Sequence, residues 1–381
     1  MQLLGGLSRE EFLQQYWQKK SLLIRQAFPD YQSPISAEEF GGLACEEEIE
    51  SRLIQEQGGE KPWQVRHGPF VETDFTSLPE SHWTLLLQSI DHHIPELAVL
   101  LDEFDFIPTW RIDDLMVSFA QAQGSVGPHL DNYDVFLLQV EGKRHWHINE
   151  DGYSDNDLMP NTDLKILKDF ESKKDWVLEP GDMLYLPPTV AHHGIALDDC
   201  LTFSIGFRAP TRKELLIAYT DDNNKDAADV FYTDPDLTLQ ASPGEIKKDH
   251  IEAIKKLMRL SHVEEDEFNS WFGCFITEKT NELEYENEAL DEQEFWERFK
   301  QAGRLTRNGN VRLSYIKNDE SLSLYVAGEE FVLSDSYLGL IQYITAKHVI
   351  DFGKATQCCD ETAAIDLLYK LYDGNYIFFD E

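Results

Sequence analysis

The stretch GPHLD, residues 127–131, decides the fold of this 381-residue chain together with PPTVAHH at residues 187–193. Residues i and i+2 of a β-strand point to the same face, so His129 and Asp131 are expected to project together from the end of one strand. With His192 they would offer two imidazoles and one carboxylate to a metal ion. That ligand set leaves coordination positions open and suits an Fe(II) centre that binds a cosubstrate and oxygen. The pattern therefore predicts an oxygenase.

His192 is expected to follow a short strand. The turn signal EPGD at residues 179–182 precedes the apolar run MLYL at residues 183–186, which stops at a Pro-Pro pair. A turn, a short strand, Pro-Pro and then histidine are typical of cupin and jelly-roll barrels, whose interior is wide enough to hold a site. The sequence therefore predicts a barrel or double sheet around the metal ligands.

Other histidines compete with His192 for the third ligand position. His193 adjoins it, and we expect its side chain to point away from the metal and to be hydrogen-bonded or solvated. His145 and His147 alternate along one predicted strand and would be ligands only if the barrel register differed. We interpret these two as core or surface histidines, which leaves His192 as the predicted ligand.

Three segments resemble the JmjC-type 2-oxoglutarate oxygenases: GPHLDNYDVFLLQVEGKRHW at 127–146, LEPGDMLYLPPTVAHHG at 178–194 and WRIDDLMVSF at 110–119. They are similar to the bacterial ribosomal oxygenases, which hydroxylate an arginine of a large-subunit ribosomal protein, and the resemblance runs along nearly the whole chain. It implies that Fe(II) is the metal, that 2-oxoglutarate and O2 are cosubstrates, and that an arginine β-carbon is hydroxylated. It places the catalytic metal ligands at His129, Asp131 and His192.

The resemblance also implies which residues bind the cosubstrate and the substrate. Arg144 falls where this family places the basic residue that binds the distal carboxylate of 2-oxoglutarate, and a guanidinium pairs bidentately with a carboxylate. Ser118 matches a position that contacts the same cosubstrate through its hydroxyl. The positions that line the substrate-arginine pocket match Asp114, Met116, Tyr133 and Ser204. A carboxylate such as Asp114 suits that pocket because a guanidinium in a partly dry site needs a partner.

Two features leave alternatives open near the cosubstrate. Thr202 stands where the family commonly has an amide side chain, which leaves open how the cosubstrate is held. Lys143-Arg144 would be a solvated hairpin pair if Arg144 did not face the site.

Composition is consistent with this interpretation and narrows the partners. The net charge of −38 repels DNA and RNA and attracts basic proteins, such as a basic large-subunit ribosomal protein. Ordinary solubility, or adaptation to a salty cytoplasm, would explain the charge equally well.

The five cysteines have no C-x-x-C spacing, which indicates reduced thiols. No signal-like start and no run of about 18 apolar residues is present, so we expect a cytoplasmic protein without a membrane contact.

The chain exceeds the size that one core usually supports, so two or three domains are expected. We predict an α+β protein with a double-stranded β-helix (jelly-roll, cupin, JmjC) catalytic domain at residues 1–208. A helical dimerisation region is predicted at 209–280, because similar enzymes form a dimerisation bundle there, and a homodimer is expected. Residues 281–381 are predicted to form a winged-helix-like domain. This segment has no basic cluster, so we interpret it as a protein-contact or packing module rather than a nucleic-acid reader.

Two other functions remain possible from the sequence alone. A cupin-type metal enzyme that does not use 2-oxoglutarate would bind metal without cosubstrate dependence. A non-enzymatic acidic adaptor would bind basic proteins even without the metal ligands, and salt would weaken that binding. Lysine demethylation, known among JmjC relatives, is disfavoured because no histone-reading module is recognisable.

Overall fold

A computed structural model of the chain describes residues 3–56, 63–153, 157–160, 165–220, 230–258, 265–278, 286–318 and 322–379. The chain forms two compact units. The first consists of Met1–Asp91, Asp113–Arg208 and Thr233–Leu239, and the second of His92–Ile112, Ala209–Tyr232 and Gln240–Glu381. The predicted division at residues 208 and 280 stays a prediction. Within the described residues, no helix is both long and apolar enough to span a membrane.

The first unit begins with short helices whose starts could be predicted. Helix α1 (Arg9–Gln15) is capped by Ser8 and Glu11, and α2 (Ala37–Leu43) has the same reciprocal capping box from Ser36 and Glu39. In each, the serine hydroxyl accepts an N–H of the first turn while the glutamate accepts the N–H of the serine. The third helix, α3, spans Glu72–Thr76.

Two antiparallel sheets build the rest of the first unit. The strands are β1 (Leu22–Ile24), β2 (Ser51–Glu56), β3 (Trp63–His67), β4 (Trp83–Leu87), β5 (Ile112–Ala120), β6 (Asp134–Glu141), β7 (Arg144–Asn149), β8 (Lys174–Leu178), β9 (Met183–Leu186), β10 (Ala191–Ala196) and β11 (Cys200–Phe207). The larger sheet has the order β1-β9-β6-β11-β5-β4-β2-β3, and the smaller has the order β10-β7-β8.

The two sheets enclose a shared apolar core. Val135 and Leu137 of β6 belong to the same buried cluster as Trp146 and Ile148 of β7, so side chains of the larger and the smaller sheet pack together. Side chains alternate along each strand, so every second residue of these strands can face this interior. The predicted double sheet is confirmed, and its interior is where a site can form.

The second unit is mostly helical and carries two three-stranded sheets. Its core includes Phe295, Leu324 and Leu367, all fully buried. The helices are α4 (Pro95–Leu101), α5 (Arg212–Thr220), α6 (Lys248–Met258), α7 (Glu265–Thr277), α8 (Glu292–Ala302), α9 (Leu338–Ala346), α10 (Phe352–Cys358) and α11 (Glu361–Asp373). The strands are β12 (Arg304–Arg307), β13 (Leu313–Lys317), β14 (Leu322–Val326), β15 (Glu329–Leu333), β16 (Val349–Asp351) and β17 (Ile377–Phe378). The two sheets have the orders β16-β12-β17 and β13-β14-β15.

A buried histidine joins distant parts of the second unit. His348, just before β16, directs Nδ1 to Asp102 Oδ1 at 2.6 Å, and its backbone N–H also donates to that carboxylate. Its Nε2 accepts from the Arg307 guanidinium. Arginine can only donate, so this arrangement requires a neutral imidazole with its proton on Nδ1. Burial, with the Arg307 charge adding to it, lowers the pKa of His348 to about 4.

This histidine makes stability depend on pH. The pKa of His348 in the folded protein lies below its usual value near 6.5, so its contribution is complete above pH 6.5 and is lost as the pH falls toward 4. We expect wild type to lose up to roughly 3 kcal/mol of unfolding free energy over that interval through this group. His348→Gln should show a flatter dependence in urea unfolding at pH 7.5 and 5.0.

His67, an exposed residue of β3, provides the matched control. His67→Gln should keep the wild-type difference in unfolding free energy between the two pH values. If His348→Gln and wild type lost the same free energy between pH 7.5 and 5.0, another group would be responsible for the pH dependence.

Candidate metal and cosubstrate site

Two backbone hydrogen bonds bring His129 of the 127–131 stretch and His192 of the 187–193 stretch together. The His129 N–H donates to the His192 carbonyl at 3.0 Å, and the His192 N–H donates back to the His129 carbonyl at 2.9 Å. His129 thus forms an isolated bridge with β10 instead of ending a strand, which differs from the sequence-based expectation. Asp131 follows two residues later, and its carboxylate approaches both imidazoles.

Both histidines hold the tautomer that a metal ligand needs. Nδ1 of His129 lies 2.9 Å from the Gly127 carbonyl, and Nδ1 of His192 lies 2.9 Å from the Val190 carbonyl. A carbonyl only accepts, so each Nδ1 carries a proton, and in the neutral imidazole the lone pair that a metal needs is then on Nε2. Backbone partners of this kind orient metal-bound histidines in proteins.

The three candidate ligands converge on one point. The Nε2 atoms of His129 and His192 lie 3.9 Å and 3.6 Å from Asp131 Oδ2, and one ligand atom from each residue lies within 4.8 Å of the others. Among the described residues, this is the one group of three that meets such a criterion. Burial, with His129 adding to it, lowers the pKa of His192 to about 4, so this imidazole is neutral near pH 7. The donor set fits Fe(II) with open positions.

The competing histidines point elsewhere. His193 Nε2 bonds the Ser125 hydroxyl at 2.8 Å. His193 pairs with His147 across β10 and β7, so these two lie on the sheet face opposite to His192. His145 shares that face, and its Nε2 lies 2.9 Å from an Asp175 carboxylate oxygen. The structure therefore brings none of the three to the candidate metal position.

Arg144, the first residue of β7, is a buried cation that makes few hydrogen bonds with the described residues. It is 4% exposed, and one terminal nitrogen lies 3.5 Å from the Cys200 thiol. Within the described part of the chain, its Nε has no hydrogen-bond partner. A buried guanidinium without a carboxylate is costly, so an anionic ligand would complete this site. The alternative of a solvated hairpin pair is wrong for Arg144, although Lys143 does face solvent and bonds Glu179.

Ser118 and Thr202 belong to a polar network that the sequence did not predict in full. The Ser118 hydroxyl lies 3.4 Å from the Thr202 carbonyl. The Thr202 hydroxyl donates at 3.1 Å to Gln139 Oε1, and Gln139 Nε2 donates to the Glu141 carbonyl. The side-chain amide of Gln139 is therefore hydrogen-bonded to Thr202. Gln139 interrupts an apolar run on β6, and this interruption is the signal that sequence reasoning missed.

The predicted site residues line one cavity of about 230 Å³. Its wall includes all nine of them: His129, Asp131, His192, Ser118, Arg144, Asp114, Met116, Tyr133 and Ser204. It also includes residues that sequence reasoning did not single out, among them Arg52, Gln88 and Lys165.

The cavity also holds a carboxyl group with a strongly raised pKa. Burial, with the nearby charges of Asp91 and Asp113 adding to it, raises the pKa of Asp114 to about 7. The Asp131 charge raises the pKa of the Tyr133 hydroxyl, which keeps that group protonated. A cation that entered the cavity would favour the ionised form of Asp114.

Known proteins match this chain along its length. Its residues 99–215 match the JmjC domain family, and residues 255–378 match the ROXA-like winged helix family. The ribosomal protein uL16 3-hydroxylase of Escherichia coli K12 is 33% identical over 377 residues, 98% of each chain. The chain belongs to the JmjC-domain ribosomal oxygenases. The predicted winged-helix character of the C-terminal region is confirmed by the second family match.

A second relative and a solved structure agree with this membership. A probable ribosomal oxygenase of Haemophilus influenzae is 35% identical over 85% of this chain and 82% of its own. The solved structure of the E. coli ribosomal oxygenase YcfD in complex with cobalt and 2-oxoglutarate has a TM-score of 0.75 at 32% identity and covers 99% of both chains. This ribosomal oxygenase is accordingly a dioxygenase whose metal is Fe(II) and whose cosubstrates are 2-oxoglutarate and O2. The acidic adaptor and the cupin enzyme without 2-oxoglutarate are not supported.

Proposed function

We propose that this protein hydroxylates the β-carbon of an arginine side chain in ribosomal protein uL16. The observation that carries the proposal is the single cavity that combines a two-histidine, one-carboxylate cluster, a buried arginine and a buried carboxylate. The first could hold the metal, the second an anionic cosubstrate and the third a cationic substrate side chain. The similarity to a uL16 3-hydroxylase supports the same substrate.

His129, Asp131 and His192 are the proposed ligands of Fe(II). When bound, the iron supplies, with 2-oxoglutarate and O2, the oxidising power to hydroxylate an unactivated C–H bond. The contribution of this chain is orientation, because the Gly127 and Val190 carbonyls fix both rings with Nε2 toward Asp131.

Arg144 and Ser118 are the proposed contacts of 2-oxoglutarate. The guanidinium of Arg144 lies within the cavity with donors left over, and its planar fork matches the distal carboxylate. Trp146, whose ring centre lies 5.8 Å from that guanidinium, also lines the cavity and keeps this end apolar. Exclusion of water strengthens the pairing of the two charges.

The proposed substrate pocket consists of Asp114, Met116, Tyr133 and Ser204. Asp114 on β5 and Ser204 on β11 belong to neighbouring strands and line the same cavity, so they can receive one side chain together. Pairing with a guanidinium would favour ionised Asp114 and so offset its desolvation. Tyr133 is 40% exposed, which suits a residue at the mouth that contacts the entering side chain.

The net charge of the chain supports a protein substrate. A net charge of −38 favours a basic protein over nucleic acid or an anionic membrane surface. A ribosomal substrate implies a location in the cytoplasm.

We further propose a homodimer through the helical region 209–280, where Ile217 of α5 is 43% exposed. Sedimentation of wild type and Ile217→Lys tests the dimer, since a monomer in wild type would exclude it.

Mass spectrometry of uL16 after incubation with the protein, Fe(II), 2-oxoglutarate and O2 tests the proposed function. We expect a gain of one oxygen on an arginine, with the fragment ions placing it on the β-carbon, and no gain with the His129→Ala variant. Succinate release without oxygen on uL16 would reject this substrate. A gain on a histidine would reject the proposed arginine specificity.

A further inference from the structure

We propose that Gln88, held in turn by Arg52, is a positioning residue that fixes Asp114 so that one carboxylate oxygen stays available to the substrate guanidinium. The proposal deepens the proposed function and rests on it. Its starting point is that Gln88 and Arg52 line the same cavity as Asp114, although neither belongs to the metal or cosubstrate positions.

The three residues lie on adjoining strands of the larger sheet. The order β11-β5-β4-β2 places Asp114 on β5, Gln88 directly after β4, and Arg52 on β2. These side chains therefore form a polar row along one wall of the cavity, with Gly206 of β11 at its other end.

The two oxygens of the Asp114 carboxylate differ in their partners. Oδ2 accepts from the Ser89 N–H at 2.9 Å, from the Ser89 hydroxyl at 3.2 Å and from the Gln88 side-chain amide. Oδ1 accepts no hydrogen bond from the described residues. It faces Gly206, and it lies 3.4 Å from the position that a β-carbon on Gly206 would occupy. One oxygen is thus saturated by the protein, and the other remains for a ligand.

Arg52 decides which way the Gln88 amide points. A terminal nitrogen of Arg52 donates to Gln88 Oε1 at 2.9 Å. Because arginine has no acceptor, Oε1 must face Arg52, and the NH2 group must then face Asp114. The same amide opposes the effect of burial, since its hydrogen bond to Asp114 lowers the pKa of that carboxyl. Without this row, Asp114 could turn its oxygens or take up a proton, and the guanidinium would lose its acceptor.

Gln88→Met tests this role because methionine has a similar length but no donor. We expect the KM for a uL16 arginine peptide to rise at least tenfold, while the KM for 2-oxoglutarate stays within twofold of wild type. Arg52→Met should produce a weaker change of the same kind, and Arg52→Lys, which still donates to Oε1, should recover most of the peptide affinity. In an Asp114→Asn background, Gln88→Met should add little further loss.

The matched control is Gln121→Met, which removes a glutamine-to-aspartate hydrogen bond of 3.1 Å to Asp199 at an exposed position outside the cavity. It should leave the peptide KM unchanged. The proposal is overturned if Gln88→Met leaves the peptide KM unchanged, or if it raises the KM for 2-oxoglutarate equally, which would indicate general disruption of the cavity.

A separate measurement distinguishes this proposal from the proposed function. If wild type does not hydroxylate uL16, calorimetric titration with N-acetylarginine amide in the presence of Mn(II) and 2-oxoglutarate without O2 still reports on the pocket. Weaker binding to Gln88→Met than to wild type and Gln121→Met would support the positioning role for another arginine substrate. Equal binding to all three, or no binding to wild type, would reject it.

Discussion

His129→Ala and Asp131→Ala variants are expected to lose succinate formation from 2-oxoglutarate by more than about a hundredfold. Within the described part of the chain, each residue contributes one of the three protein atoms that converge at the candidate metal position. Loss of the hydrogen-bond partners that orient metal ligands already costs 10–100-fold in affinity or activity in other proteins, so loss of a ligand should cost more. Succinate release with saturating Fe(II), 2-oxoglutarate and O2 measures the effect.

His193→Ala is the matched control for these variants. It removes an imidazole that adjoins a proposed ligand but bonds Ser125 on the opposite face of β10. We expect it to retain most of the wild-type turnover. Co(II) binding, followed by absorbance, should be lost in His129→Ala and Asp131→Ala and kept in His193→Ala. Turnover that survives in the first two variants would contradict the ligand assignment.

The members of the metal cluster could be predicted from the sequence because their spacing and flanking patterns are local features. His129 and Asp131 are two residues apart, and the strand-turn-Pro-Pro pattern before His192 sets the start of β10. The alternation of side chains along β10 was enough to place His193 on the other face. The local conformation at His129 was less predictable, because its bridge to His192 depends on a partner far along the chain.

The polar row and the boundaries of the two compact units could not be predicted in the same way. Arg52, Gln88 and Asp114 are far apart in the sequence, and only the strand order β5-β4-β2 makes them neighbours. Gln139 likewise acquires its role only because β6 pairs with β11 and brings it to Thr202. For the same reason, no local signal indicated that His92–Ile112 belongs to the second compact unit.

Arg144→Met is expected to raise the KM for 2-oxoglutarate at least tenfold. The wild-type side chain is a buried guanidinium at the wall of the cavity, and its Nε has no hydrogen-bond partner among the residues that the structure describes. Loss of a charge-assisted bidentate pair costs more than one tenfold step in affinity, at about 1.4 kcal/mol per step. Arg144→Lys should recover only part of the affinity, because lysine offers a point charge without the planar fork. The KM for the uL16 peptide should stay near that of wild type, since Asp114 and its partners are unchanged.

Thermal unfolding separates loss of binding at Arg144 from loss of the fold. Without ligand, Arg144→Met should unfold no earlier than wild type, because methionine replaces a buried charge, which has no carboxylate partner among the described residues, with an apolar side chain of similar length. With Mn(II) and 2-oxoglutarate under nitrogen, wild type should gain stability as RT ln(1 + [L]/Kd), about 2.7 kcal/mol at one hundred times Kd. The variant should gain little at the same concentration. An equal increase in the Tm of both proteins on adding 2-oxoglutarate would remove Arg144 from the cosubstrate site, whereas a much lower Tm of the variant without ligand would assign Arg144 a structural role instead.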